Sequence, residues 1–301
     1  EALAFESVPA SLAIVGAGYI AVELSHVYQK LGAQVTMIQR SPRILNHLDE
    51  SVSHIMAAQL QKFGVNIVSN TEVMKGDISE KNVKLWLKSK EGKESQLDVE
   101  KVLVATGRLP YVEGLGLGNT HVKLDESGYI PVDNKCQTSD PKILAIGDIT
   151  GPPLLAHRGF YMGKIAAEVC AGLPSAYDAQ VVPSVVYSDP EIAYVGLQEN
   201  DAVKQGRQIL TGIFPFSASG RAQGSARPLG FVKLVADPSS HLILGGLLVG
   251  SRVSELVSEI ALAIEMGARL EDVAGTIHPH PTYGEAIAEA AEVALKKSVH
   301  V

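Results

Sequence analysis

Residues 12–40 read LAIVGAGYIAVELSHVYQKLGAQVTMIQR, and this stretch constrains the fold more than any other. An apolar run ends at Val15, a glycine turn occupies Gly16 to Gly18, and a stretch with Ile20, Leu24, Val27 and Leu31 on one face predicts a helix. A second apolar run, Val35 to Ile38, follows Gly32. Strand, glycine turn, helix and strand make a βαβ unit, and Gly16-x-Gly18-x-x-Ala21 meets the G-x-G-x-x-G/A pattern in that context. Gly16 permits the tight turn, Gly18 lets backbone approach a pyrophosphate, and small Ala21 lets the helix pack on the sheet, leaving a phosphate at the positive helix end. The plain alternative is a strand-to-helix turn that binds nothing, and the full βαβ context favours binding. Where an acidic residue would accept from a ribose 2′-OH, the second strand ends in Gln39-Arg40, with Arg43 three residues on. That chemistry leans to NADP or to weak discrimination from NAD, unless the arginines are only surface charges.

A helix near Glu50 to Phe63, a short strand in VNIVS, alternating segments such as VKLWLKSK that suggest a small antiparallel sheet, and a buried strand in KVLVATGR complete a first domain, 1–113. In 114–180, KILAIGDIT predicts a buried strand ending at Gly147-Asp148, and Ala156 to Ala171 predicts one helix. Too few strands accompany them to bury both, so the segment reads as part of a domain. From 181 to 301, LGFVKLVA, a turn at DPSSH and LILGGLLVG predict a hairpin. Leu256, Ile260 and Ile264 form a helical stripe, and a last helix runs from Gly284 to Lys297. The fold class is α/β.

Net charge is −7 with both signs interspersed, which argues against nucleic acid or an anionic membrane surface as a partner. The longest apolar run, Leu242 to Gly250, is too short for a bilayer. Cys136 and Cys170 belong to no CxxC-type pattern, so a reducing, cytoplasmic setting is expected, or a mitochondrial matrix in a eukaryote. Only His278 and His280 are close among nine histidines, so no metal is expected. The opening EALAFESVP reads as a linker, with the expectation that something precedes it.

TIHPHPTYGEAIAEAAE sets His280 five residues before Glu285, and Thr282-x-x-Glu285 is a capping box for the helix that follows. Spacing alone leaves cap and catalytic base both open. GAGYIAVE, VLVATGRLP, ILAIGDIT followed by LLAH, VPSVVYSDPEIAYVG, FPFSASGRA and HPHPTYGEAIAEAA occur, in this order, over essentially the whole chain. Together they resemble the flavoprotein pyridine nucleotide–disulfide oxidoreductases. The latter half is most similar to dihydrolipoamide dehydrogenases, while GAGYIAVE with Arg40 is more similar to glutathione reductases.

The resemblance implies a Rossmann-like NAD(P)-binding domain, the second half of an FAD-binding domain and an α+β interface domain that makes a homodimer. It implies that Asp148 contacts FAD and that Leu154, Leu155, Ala156 and His157 approach the flavin ring through their backbone. Glu23 would stand beside the nicotinamide with Tyr19 over the flavin face, and Val73 and Gly107 join Gly16, Gly18, Ala21, Gln39 and Arg40 as cofactor-binding candidates. His280 and Glu285 match the family's catalytic His–Glu pair, which acts in the partner's active site. A thiol substrate needs a base titrating near neutrality, and a carboxylate fixes the imidazole tautomer.

Phe160, Tyr161 and Met162 depart from the family, which usually carries acidic residues in that helix. Family members also begin with an FAD fingerprint and a C-x4-C redox pair, neither of which occurs here. The expectation is therefore one part of a dihydrolipoamide dehydrogenase-like enzyme, inactive without its other half, using FAD and NAD or NADP. The resemblance also implies a 2-oxoacid dehydrogenase complex, through its lipoyl domains, as a partner. The alternatives are a glutathione or other disulfide reductase using NADPH, and a non-catalytic nucleotide-binding dimerisation module.

Overall fold

In the computed structural model, which describes all 301 residues, Ser11–Val15 (β1) and Gln34–Ile38 (β2) are parallel neighbours, joined by the helix Tyr19–Lys30 (α1). Glu50–Lys62 (α2) leads to Asn66–Val68 (β3), and Asp49 caps it by accepting from the Ser51 N–H at 3.0 Å. Thr71–Ile78 (β4), Val83–Ser89 (β5) and Glu94–Val99 (β6) form a separate antiparallel sheet, after which Lys101–Val104 (β7) returns to the first, giving the order β3-β2-β1-β7. β1 and β2 lie inside this parallel sheet, and both read as near-continuous apolar runs because helices and loops cover their faces.

Two expectations change here. KVLVATGR supplies an edge strand: nothing pairs beyond β7, and Lys101 and Val104 face outward. On α1, the buried side is Ala21, Val22, Ser25 and Tyr28, with Val27 and Leu31 exposed. Small Ala21 and Ser25 let the helix approach the sheet closely, so the face that packs is not the most apolar one. The buried Ser25 hydroxyl is satisfied by donating to the Ala21 carbonyl at 2.6 Å.

Arg108–Ser184 form a compact unit of their own. Its helix, Ala156–Cys170 (α3), packs Met162 and Ile165 against Cys136, with Val132, Leu144 and Tyr177 around them. Burial pushes the Cys136 thiol up, away from the reactive thiolate. KILAIGDIT is not the buried strand its composition predicts. It makes a single bridge, Leu144 to Gln137, and then a 3₁₀ turn over Gly147–Thr150. Residues 136–138 lie beside it, the Ala145 N–H donating to the Cys136 carbonyl at 3.0 Å and the Thr138 N–H to the Ile143 carbonyl at 3.1 Å, and this contact is too short to make a ladder.

The other unit joins Glu1–Gly107 to Val185–Val301. Ser184–Val186 (β8), Glu191–Gly196 (β9), the helix Glu199–Lys204 (α4), Leu210–Pro215 (β10), the helix Gly220–Gly224 (α5), Phe231–Ala236 (β11) and Ile243–Gly250 (β12) build a sheet ordered β10-β11-β12-β9-β8. Val253–Glu265 (α6), Leu270–Ala274 (α7) and Glu285–Ala294 (α8) follow. Gly212 lies where α8 crosses, and a Cβ there would meet the Ala290 carbonyl oxygen at 2.0 Å. At Gly246 it would meet the Ile260 Cδ1 of α6 at 2.8 Å. The last helix ends at Ala294, before the expected Lys297, and Lys296 takes a left-handed φ of 58° just beyond.

One apolar core runs from β1, α1 and α2 into this second sheet through Val186, Ile192, Phe231, Leu247 and Val249. Beside it the buried Lys233 of β11 lies 2.6 Å from Asp49 and 2.6 Å from Glu199, tying the α2 N-cap to the C-terminal sheet. Burial pulls the Lys233 ammonium down, but the two carboxylates outweigh it and raise it overall.

Candidate functional site

The β1–α1 turn has the geometry its glycines call for. Gly16 sits at φ 127°, and a Cβ there would lie 2.3 Å from the Ala105 carbonyl oxygen at the end of β7, so no larger residue fits. Around Gly18 nothing stands within 4 Å of a Cβ, which leaves its backbone open to an approaching group. No side chain caps α1, so its first N–H groups remain free for an anion, and Ala21 is fully buried against the sheet. These residues fit a dinucleotide pyrophosphate.

Tyr19 opens α1, and Glu23 follows one turn later, half-buried, where its carboxylate accepts from the Tyr187 N–H at 2.8 Å. Burial pushes the Glu23 carboxyl up more strongly than that hydrogen bond pulls it back. Past β2, Gln39 is buried, its amide 2.8 Å from the Ser69 hydroxyl, while Arg40 projects into solvent 3.9 Å from Glu72. Arg43 is tied to Glu50. Arg40 is therefore the cation left most accessible near the strand end. Val73 packs partly buried against the cluster around Ala13, Ile38 and Leu85, and Gly107 is exposed at φ 136°.

In the Arg108–Ser184 unit, the exposed Asp148 lies in the 3₁₀ turn and pairs with Arg108 at 3.0 Å. Leu154 and Leu155 lead into α3, which begins at Ala156 with no side-chain cap, and the His157 Nε2 is 2.8 Å from the Pro183 carbonyl oxygen. A carboxylate that keeps an exposed face, beside an uncapped helix start, fits the polar chain of a flavin nucleotide. Arg158, which no sequence motif marks, fastens the turn to the helix by donating to the Gly151 carbonyl at 2.8 Å and the Thr150 hydroxyl at 3.1 Å.

The His280 ring points outward with its side chain 77% exposed, and its Nδ1 lies 2.7 Å from Glu285 Oε1. Glu285 Oε2 accepts from the Thr282 N–H at 2.6 Å. One carboxylate thus serves the helix start and the imidazole together, one oxygen each. The capping box is only half made: the Thr282 hydroxyl donates to the Pro279 carbonyl at 2.7 Å and caps no helical N–H. Burial pushes the Glu285 carboxyl up, but the Thr282 N–H, His280 and His278 outweigh it and hold it below the usual range. With Glu285 on Nδ1, the Nε2 lone pair is the atom left to take a proton. A second pair, His278 Nε2 to Glu259 Oε1 at 2.9 Å, stands beside it. Its carboxylate lies 19 residues upstream on another helix, so no local motif marks it.

Residues 1–163 match the model of the pyridine nucleotide-disulphide oxidoreductases, and residues 182–291 match the dimerisation domain of the same family. The chain belongs to this family. It is 40% identical over 300 residues to dihydrolipoyl dehydrogenase 2 of Haloarcula marismortui, and 42% identical over 300 residues to a dihydrolipoyl dehydrogenase of Halobacterium salinarum. The match covers 100% of this chain and spans 64% and 63% of those relatives. Among solved structures, LpdA from Mycobacterium tuberculosis superposes with a TM-score of 0.87 at 27% identity, covering 96% of this chain and 62% of that one. The HOCl-induced flavoprotein disulfide reductase RclA from Escherichia coli gives 0.87 at 26% identity, with coverage of 97% and 66%. The fold is thus the family's α/β arrangement of a Rossmann-type domain, part of a second α/β domain and an α+β dimerisation domain.

Proposed function

We propose that this chain forms the nucleotide-binding and dimerisation part of a dihydrolipoamide dehydrogenase-type enzyme, which oxidises a dithiol to a disulfide and passes two electrons to NAD+. The observation that carries this reading is the outward-facing His280–Glu285 pair, a base with its tautomer set and its free nitrogen turned away from its own chain. The 40% identity to dihydrolipoyl dehydrogenases supports the substrate class, and the match to the dimerisation domain supports a homodimer. Because the relatives are longer, the activity is assigned to this chain together with the remaining third of such a protein. We further divide the chain at 1–113, 114–180 and 181–301, and place the enzyme in the cytoplasm. No helix is long and apolar enough to cross a membrane.

NAD(P) would be held by the Gly16–Gly18 turn, the free N–H groups of α1, Arg40 and Glu23, and FAD by Asp148 and the start of α3. When bound, the flavin and the nicotinamide supply the two-electron chemistry. The chain's own contribution is to the protons. His280 Nε2 accepts a thiol proton, the imidazolium is stabilised by Glu285, and the resulting thiolate is the nucleophile. Overall, dithiol and NAD+ give disulfide, NADH and one released proton. Steady-state assays pairing dihydrolipoamide or glutathione with NAD(H) or NADP(H) test this. Turnover of dihydrolipoamide, faster with NAD+ than with NADP+, is expected, while turnover confined to glutathione disulfide and NADPH would overturn it.

A further inference from the structure

Of the two histidines in the HPHP segment, only His280 is free on one side. His278 has a side chain 10% exposed, and both its ring nitrogens are engaged: Nδ1 is 2.9 Å from the Thr276 carbonyl oxygen and Nε2 is 2.9 Å from Glu259 Oε1. Neither partner can donate, since a carbonyl and an ionised carboxylate only accept. A neutral imidazole has one N–H and would turn a lone pair on one of them. Two donors are required, and that is the imidazolium. The ring also lies against the start of α8, because a Cβ built on Gly284 would sit 3.7 Å from its Cδ2. Gly284 directly precedes Glu285.

We propose that His278 is a positioning residue for His280: held as an imidazolium, it pins the 276–284 loop to α6 and places a positive charge beside Glu285, the acceptor of His280. The catalytic consequence rests on the function proposed above, whereas the pinning does not. The groups facing His278 are Glu259 from α6, Glu285 at the start of α8 and the Thr276 carbonyl of its own loop. Burial alone would favour the neutral ring, and these three together outweigh it, leaving His278 above the ordinary histidine range. By linkage, its stabilisation is complete below about pH 6.5 and is lost as pH rises through the higher folded-state value. The anchor of the His280 loop is therefore loosened by alkali.

Long-range proton–nitrogen NMR of the imidazoles in this chain tests the proposal in the parent, in Glu259→Gln and in Glu259→Asp. At pH 7 the parent should show His278 protonated on both nitrogens and His280 as a single Nδ1–H tautomer. Glu259→Gln should make His278 neutral and, by releasing the loop that holds His280 on Glu285, raise the Nε2–H share of His280, and Glu259→Asp should restore much of the parent pattern. The carboxylate replaced is 40% exposed, so the fold should survive, and amide dispersion checks it. A neutral His278 in the parent, or a His280 tautomer unmoved by Glu259→Gln in a folded protein, overturns the proposal. Loss of thiol oxidation in the assembled enzyme is a separate readout. If the NMR pattern holds while His280→Gln leaves turnover intact, the proposed function fails and the positioning role stands.

Discussion

Replacing Lys233 with methionine should cost about 3 kcal/mol of stability, and the figure follows from what the ammonium holds. It lies 2.6 Å from each of two carboxylates, with its own side chain 6% exposed. Removing one partner of a buried pair usually costs roughly 3–5 kcal/mol, because a charge is left without compensation. Methionine keeps the apolar stem packed, and Glu199, 40% exposed, can turn into water. Asp49, 18% exposed, is the acid left stranded, although it keeps its bond from the Ser51 N–H. The lower end of the range is therefore expected, equivalent to a melting temperature lower by roughly 5 °C in a chain of this size. Urea unfolding followed by circular dichroism measures it. Asp49→Asn combined with Lys233→Met should recover about 1–2 kcal/mol, since the orphaned charge is gone. The linkage sign adds a check. Burial raises the Asp49 carboxyl, but Lys233 and the Ser51 bonds pull it below 3.8 overall, so its contribution is present above that pH and lost as pH falls through the lower folded value. The difference between parent and Lys233→Met should shrink in acid. A loss under about 1 kcal/mol, or one that does not change with pH, refutes the view that this buried triad holds α2 to the C-terminal sheet.

Gly16→Ala forces a Cβ to within 2.3 Å of the Ala105 carbonyl oxygen at a φ of 127°, so NADH binding should weaken at least about tenfold, with a lower melting temperature. Nucleotide titration of the variant checks it. Arg40→Glu should weaken NADPH binding about tenfold and leave NADH little changed; equal losses for both would mean Arg40 reads no 2′-phosphate. Glu285→Gln keeps an acceptor for Thr282 but removes the charge that steadies a protonated His280, so thiol oxidation by the assembled enzyme should fall roughly 100-fold. Because Glu285 lies below 4.5 when folded, its stabilising effect in the parent should be present above that pH and disappear as pH falls further.

The βαβ unit was legible because its signals are local: unbroken apolar runs, a glycine turn and a helix of the right length between them. Glu285 and His280 were legible for the same reason, being five residues apart. The sequence pattern misled where packing depends on distant partners. KILAIGDIT has the composition of a strand but pairs only through a single bridge to Gln137, and α1 turns its small residues, not Leu31 and Val27, towards the sheet. Lys233, Asp49 and Glu199 are far apart in the chain, and a lysine in an apolar strand is the only hint of their cluster; His278 and Glu259, on a loop and a helix, give none.

The most direct test of the dyad's role is complementation between subunits of the longer protein. His280→Ala homodimers are mixed, unfolded and reassembled with homodimers lacking the redox cysteine pair, and dihydrolipoamide oxidation is measured. Each parent should be nearly inactive. Random reassembly makes about half the dimers mixed, each with one intact site formed by His280 of one subunit and the cysteines of the other, so about a quarter of normal activity is expected. A mixture as inactive as its parents would contradict a His280 that works across the dimer.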